Sequence, residues 1–439
     1  MKTDVLILGA GLSGLATAHY LERRGVDHLL VEEKPFAGGL CTSEEQDGYC
    51  FDATGHWLHL RDRGVRELVD ETSGLDNYVE VERSTHIFLG GNFTLYPFQS
   101  NLYGLPPAVQ KECLKGFIDA WMKKKAGGRR AEPATFKQWV ETHMGTGIAR
   151  HFMLPYNEKL WTVKASAMTP LWCQIYVPIP TLDQVIDGLV EAPQRRIGYN
   201  ATFLYPKKGG IGFMTRGLAG SLKQPPRCGN GVAAIELSSR TAWLRDGTAV
   251  NFRHLVSSAP LKELVAMVLD APDTARSHAR KLKHQSVCYY NVALAAKAKV
   301  PGSNWIYVPE REYLFYRVGF PANAVADLAP AGTDSLYVEV SHRGDLPAAD
   351  TWLQVRQDLI RSGILREEDI RFHQERNIEY AYVIFDRHYR TAVPALHRWL
   401  NGRDILSIGR YGAWTYNSME TALTDGRAAA DTVATSLGA

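Results

Sequence analysis

The chemistry legible in this chain begins with glycine. Gly9, Gly11 and Gly14 stand in the stretch Gly9-Ala10-Gly11-Leu12-Ser13-Gly14, directly after the apolar run Val5-Leu6-Ile7-Leu8. That G-x-G-x-x-G spacing permits a tight turn, close approach of backbone to a pyrophosphate, and close helix–strand contact. A helix opening at Leu12 would turn its N–H groups and positive dipole end toward phosphates. Glu32 lies 23 residues after Gly9, where a carboxylate can accept hydrogen bonds from the ribose hydroxyls of an adenosine. On this fingerprint alone the dinucleotide is either a nicotinamide or a flavin. No paired carboxylates, Ser-His-Asp arrangement or metal-ligand spacing accompanies it. The six cysteines, Cys41, Cys50, Cys113, Cys173, Cys228 and Cys288, include no C-x-x-C pair and read as free thiols of a reducing compartment.

These residues need elements to hold them. Asp4 to Leu8 reads as a buried parallel strand, Leu12 to Arg24 as a helix ending at Gly25, and His28 to Glu32 as a second strand. This β-α-β opening implies a doubly wound sheet. From Pro106 to about Trp161 the pattern turns helical, clearest over Ala108–Trp121 and Phe136–His143, with Lys123–Arg130 as a solvated loop. Short aromatic and β-branched runs over Gln285–Phe320, Ser335–Val340 and Ile378–Ile384 predict a separate antiparallel sheet. A strand from Asp404 and a helix over Thr421–Leu437 close the chain.

With 439 residues, 45% hydrophobic, the chain is long enough for two or three domains and too apolar for disorder. Fifty basic against 47 acidic residues leave +3, too balanced for a dedicated nucleic-acid binder. No apolar run nears the roughly 20 residues of a membrane span, and Met1–Leu8 lacks a signal-peptide pattern. The expectation is a cytoplasmic protein with no membrane insertion.

Further segments resemble a known family. Glu32-Glu33-Lys34-Pro35-Phe36-Ala37-Gly38-Gly39-Leu40 resembles the glycine-pair extension of the large FAD-dependent amine-oxidase-like families. Ile408-Gly409-Arg410, with Gly426 in the closing helix, resembles their second flavin-contacting element. Within them, Phe51–His56, Tyr96–Asn101, Phe152–Trp161, Gly198–Phe203, Tyr316-Arg317 and Trp414-Thr415-Tyr416 are similar, in order, to motifs of the eukaryotic-type UDP-galactopyranose mutases.

The resemblance implies an α/β protein with a Rossmann-like FAD-binding domain (1–77, 205–270 and 400–439), a mainly helical substrate domain (102–200) and an antiparallel β-sheet domain (78–101 and 280–390). It implies FAD held by Gly9, Gly11, Gly14, Glu32, Gly38, Gly39, Leu40, Gly409, Arg410 and Met419, with the reduced form active and NADPH or NADH as a possible reductant. In such enzymes reduced flavin N5 attacks the anomeric carbon of a UDP-sugar and displaces the diphosphate, so pyranose and furanose forms interconvert. Arg317, Tyr416, Tyr382 and Tyr316 would face that diphosphate, and His56 would lie beside the isoalloxazine and fix its geometry. Tyr96, Gln99, Phe152, Tyr156 and Asn157 would hold the base, Trp161 would pack on the sugar or flavin, and Asn200 would sit on a mobile loop.

Two positions depart from the family pattern. Tyr176 stands where a second pyrophosphate arginine is expected, with Arg195 and Arg196 as alternative sources of charge, and Ser418 replaces an acidic residue found in some mutases. A flavin oxidase or dehydrogenase of the amine or protoporphyrinogen type, or a non-catalytic nucleotide-sugar-binding relative, therefore stays open. The chain gives no oligomeric state.

Overall fold

A computed structural model of the chain describes residues 1–126, 132–173, 177–191, 201–345 and 350–439. The strand Lys2–Leu8 lies between His28–Val31 and Ala249–Ser257, parallel to both. Its Val5, Leu6 and Ile7 are fully buried, as expected of a strand covered on both faces. Ile405–Ser407 extends the parallel set, while Thr241–Leu244 and Val232–Glu236 add an antiparallel edge that the sequence pattern did not predict.

The helix Leu12–Arg23 packs against the closing helix Met419–Leu437. Gly426 permits that contact: a Cβ there would meet the Ser13 carbonyl oxygen at 2.5 Å. Residues some four hundred positions apart thus share one wall of the dinucleotide half.

The second sheet has seven strands, in the order Ile370–Val383, His284–Leu294, Asp334–His342, Arg317–Gly319, Trp305–Tyr307, Thr85–Leu89 and Asn92–Leu95. All neighbours are antiparallel except Trp305–Tyr307 with Thr85–Leu89. One expected member is missing from it. Tyr78–Glu82 pairs instead with Thr202–Pro206, because Tyr78, Phe203 and Tyr205 bury against the core of the dinucleotide half. A hairpin of Ser43–Gln46 and Tyr49–Asp52 was not anticipated either.

In the helical region, Pro107–Lys125 and Phe136–Ile148 touch backbone to backbone. A Cβ on Gly147 would sit 2.2 Å from the Glu112 carbonyl oxygen, so glycine is required there. Lys123 to Lys125 belong to the first of these helices rather than to a loop, for the alanine and lysine run continues its hydrogen bonding as far as Ala126. A π-turn, Ala149–Met153, leads into the helix Leu154–Trp161. Leu182–Val190 opens with a Thr181/Gln184 capping box and seats Gly188 against the turn Phe98–Ser100. No described helix is long and apolar enough to cross a membrane.

Candidate functional site

The glycines of the fingerprint form a cradle. Gly9 adopts φ +91°, and a Cβ on Gly14 would fall 1.9 Å from the Gly9 carbonyl oxygen. Gly39, at φ +62°, brings its backbone against Gly11; an added Cβ would lie 3.1 Å from the Gly11 Cα. Gly38 donates its N–H to the Ala10 carbonyl at 2.8 Å, which docks the stretch through Leu40 beside the fingerprint. Gly409, at φ +72°, comes in from the far end of the chain and would meet Ser13 Oγ at 2.5 Å if it carried a Cβ.

The helix Leu12–Arg23 has Gly11 as its N-cap, with no side-chain cap and no acidic residue in its first turn. Its first N–H groups therefore remain for an anionic ligand. Glu32 lies just past its strand, accepting from the Ala10 and Lys34 N–H groups at 2.7 and 2.9 Å. Its lone pairs still leave room for ribose hydroxyls. Backbone cradle, bare helix start and carboxylate together fit FAD.

A cleft adjoins this cradle, floored by one face of the seven-stranded sheet. The register aligns Tyr307, Arg317 and Glu339 across three neighbouring strands. Two residues along the same face come Trp305, Gly319 and Tyr337. Gly319 is required, since its Cβ would lie 1.9 Å from Tyr337 Cζ. Tyr382 and Tyr416 stack with ring centroids 5.7 Å apart, and the Arg410 guanidinium carbon stands 4.8 and 4.7 Å from their centroids. Trp161 meets both rings edge-on, at 5.4 and 6.4 Å. Farther along, Tyr307 meets Tyr156 and Tyr96 edge-on, and Phe152 stacks between Tyr156 and Phe98. Met419 begins the closing helix three residues beyond Tyr416.

Electrostatics sort these groups. His56 sits deep at the junction of cradle and cleft. Burial, then the positive fields of Arg410 and Arg317, push its pKa from 6.5 down to about 4, so it is neutral at working pH. Its Nδ1 has no hydrogen-bond partner among the described residues. Burial and the neighbouring Tyr382 push Tyr416 up to about 12, and burial with Tyr307 does the same to Tyr96. Both remain protonated donors. Burial opposes the charge on Arg317, but the Glu339 carboxylate outweighs it and holds the guanidinium pKa well above its ordinary value.

The backbone approaching His56 carries Thr54 at φ +70°, a left-handed conformation that β-branched residues rarely adopt. Asp52, two residues earlier, fixes the loop: it accepts from Ser43 Oγ at 2.6 Å, the Tyr205 hydroxyl at 2.6 Å and the Ile211 N–H at 3.0 Å. Burial lifts its pKa from 3.8 to about 6 in spite of those bonds.

Several residues turn out to be differently engaged from the sequence expectation. Arg317 is paired in a bidentate salt bridge with the buried Glu339, at 2.7 and 2.5 Å, so its charge is already compensated. The Asn157 amide donates to the Met153 carbonyl and accepts from Trp161 Nε1, while Gln99 donates to the Pro178 carbonyl. Both amides thus brace the cleft wall. Tyr316 is almost fully buried, edge-on to Tyr156 with ring centroids 6.3 Å apart, and the Glu339 carboxylate raises its pKa further after burial. Ser418 caps the closing helix by accepting from the Thr421 N–H. Tyr176, Arg195, Arg196 and Asn200 lie outside the described residues.

Sequence reasoning gave no role to Glu339, Asp52, Tyr307, Tyr337 or Arg83. For Glu339 a signal exists: it is the single charge between apolar neighbours in Leu336–Val340.

A family model described as flavin containing amine oxidoreductase matches residues 12–434. The chain belongs to this family. FAD is accordingly the dinucleotide of the cradle. Over 157 residues the chain is 26% identical to the probable flavin-containing monoamine oxidase A of Dictyostelium discoideum, covering 34% of each protein. Over 168 residues it is 23% identical to the probable UDP-galactopyranose mutase of Klebsiella pneumoniae, covering 38% of this chain and 42% of that protein. These matches span less than half of the relatives' own length. Among solved structures, reduced UDP-galactopyranose mutase superposes with a TM-score of 0.92 at 24% identity, covering 100% of this chain and 94% of that one. The chain therefore has the fold of that mutase.

Proposed function

We propose that the protein is a flavin-dependent mutase that interconverts pyranose and furanose forms of a nucleotide sugar, a UDP-sugar such as UDP-galactose. The observation that carries this reading is the aromatic cluster beside the FAD cradle, in which Arg410 faces the Tyr382 and Tyr416 rings and Arg317 is held by Glu339. Bound FAD, in its reduced form, supplies the nucleophile that substitutes at the anomeric carbon; NADPH or NADH would be its reductant.

The chain's own residues position and polarise. Tyr156, backed by the buried Phe152, offers an aromatic face for the base. Tyr416, held protonated, donates a hydrogen bond to an oxygen of the departing diphosphate, an interaction that strengthens as charge develops there. Neutral His56 keeps an uncharged hydrogen-bonding edge at the junction with the cofactor and does not act as an acid near neutrality.

The arginines also weigh against an ammonium substrate. The Tyr382 and Tyr416 rings already carry the Arg410 guanidinium, so a second cation would meet an occupied site and a repulsive field. The test is anaerobic incubation of the photoreduced protein with UDP-galactopyranose, followed by chromatography for the furanose isomer. Absence of any isomer from UDP-, dTDP- and GDP-sugars overturns the proposal. Flavin reduction by an amine, with stoichiometric peroxide, would instead make the protein an oxidase.

A further inference from the structure

The cleft holds three arginines in the described residues, and they differ in what balances them. Arg317 is neutralised by Glu339. Arg410 is directed to backbone, donating to the carbonyls of Asn417 and Ala381 at 3.0 and 3.3 Å. Arg83 forms no ion pair with any carboxylate among the described residues; its guanidinium faces two aromatic rings and a hydroxyl.

Arg83 is nevertheless well fixed. It follows the strand Tyr78–Glu82, and its N–H donates to the Ala201 carbonyl at 2.8 Å. The guanidinium carbon lies between two rings, 4.7 Å from the Tyr96 centroid and 4.9 Å from that of Trp305. Nε donates to Thr85 Oγ1 at 3.0 Å, which sets the plane of the fork. Such a cation is oriented before any ligand arrives. It is half-buried on the cleft wall, since Tyr96 leads through Tyr307 to Tyr156.

We propose that Arg83 is the diphosphate-binding cation of the cleft, taking the part that Tyr176, which carries no charge, cannot play. The inference rests on the nucleotide-sugar reading. A paired Arg317 adds no net charge, whereas a diphosphate brings about two negative charges that must be met when it leaves water. Arg83 supplies one of them together with a planar fork suited to phosphate oxygens.

The experiment uses full-length holoenzyme and three probes: inorganic pyrophosphate, UDP and uridine, titrated by calorimetry. Arg83→Gln is expected to weaken pyrophosphate and UDP by ~10- to 100-fold and to leave uridine unchanged. Arg83→Lys should recover part of the loss by restoring charge without the fork. Thr85→Val, a near-isosteric change that frees Nε, should weaken pyrophosphate by roughly fivefold with the fold intact. The proposal is overturned if the Arg83 variants bind pyrophosphate like the wild type, or if only the flavin midpoint potential moves, which would assign the guanidinium to the cofactor. The nucleotide-sugar reading fails separately, if wild-type protein binds UDP no tighter than pyrophosphate while Arg83→Gln still weakens pyrophosphate.

Discussion

Cradle and cleft adjoin but are made of different materials. The cradle is backbone: Gly14 and Gly39 bring main chain against main chain, and Gly9, Gly38, Gly39 and Gly409 adopt the positive φ that favours glycine. The cleft is side chain: Tyr96, Tyr156, Tyr307, Arg317, Glu339, Tyr382 and Tyr416 come from a turn, a helix, four sheet strands and the loop before the closing helix. Backbone contact tolerates one residue type, so it leaves a fixed spacing in the sequence. Side-chain contact tolerates many, and its partners are named by the register of a sheet.

The largest expected effect tests the side-chain half. Arg317→Met leaves Glu339, 1% exposed, as an unpaired buried charge and should destabilise the protein by about 3–5 kcal/mol in urea unfolding. The double variant Arg317→Met/Glu339→Leu should regain most of that stability. If the single variant is as stable as wild type, the pair is not the keystone of the sheet face. Next comes the backbone half. Gly14→Ala forces a methyl within 1.9 Å of the Gly9 carbonyl oxygen and should cost on the order of 3 kcal/mol and release FAD on purification. A full flavin-to-protein absorbance ratio in that variant would contradict the cradle geometry.

This division explains what could be read in advance. Gly9 to Gly14 and Glu32 were legible because turn, helix start and ribose contact each demand a residue type at a set separation. The closing helix was legible from its apolar periodicity, and Gly426 from its resemblance. The Arg317–Glu339 pair was not, because 22 residues separate the partners and only the antiparallel register between Arg317–Gly319 and Asp334–His342 makes them neighbours. Tyr78–Glu82 was assigned to the wrong sheet for the same reason: its alternation fits either partner, and buried Tyr78 decides between them. Asn157 and Gln99 were read as base-reading amides, and composition cannot reveal that each gives one N–H to a backbone carbonyl, of Met153 and Pro178 respectively.

A smaller effect probes how the helical region serves the cleft. Gly188 meets the Tyr96–Asn101 segment so closely that a Cβ would lie 2.0 Å from the Ser100 carbonyl oxygen. The Gly188 carbonyl accepts from the Leu102 and Tyr103 N–H groups. Gly188→Ala should cost about 1–3 kcal/mol and weaken UDP binding, while flavin content stays at wild-type level. Equal loss of flavin and UDP binding would mean that cradle and cleft do not separate.

The smallest effect lies where the two halves meet, at the Asp52–His56 loop. Asp52 has its pKa raised from 3.8 to about 6, so between those values the folded state holds a proton that the unfolded chain releases. Its contribution to stability is full below pH 3.8 and is lost as pH rises to 6. His56 is lowered from 6.5 to about 4, so there the unfolded chain binds the extra proton, and its contribution is full above pH 6.5 and is lost as pH falls to 4. His59 and His284, each lowered to about 4 chiefly by burial, act in the same sense as His56. Over pH 4–6 the carboxyl and the imidazoles therefore oppose one another and flatten the wild-type profile. Asp52→Asn removes the opposing member, so its unfolding free energy should rise with pH more steeply than that of wild type, by about 1 kcal/mol between pH 5 and 6. His56→Gln should tilt the profile the other way. Parallel profiles for Asp52→Asn and wild type would show that the carboxyl is ionised throughout, held by Ser43, Tyr205 and Ile211 more strongly than burial opposes it.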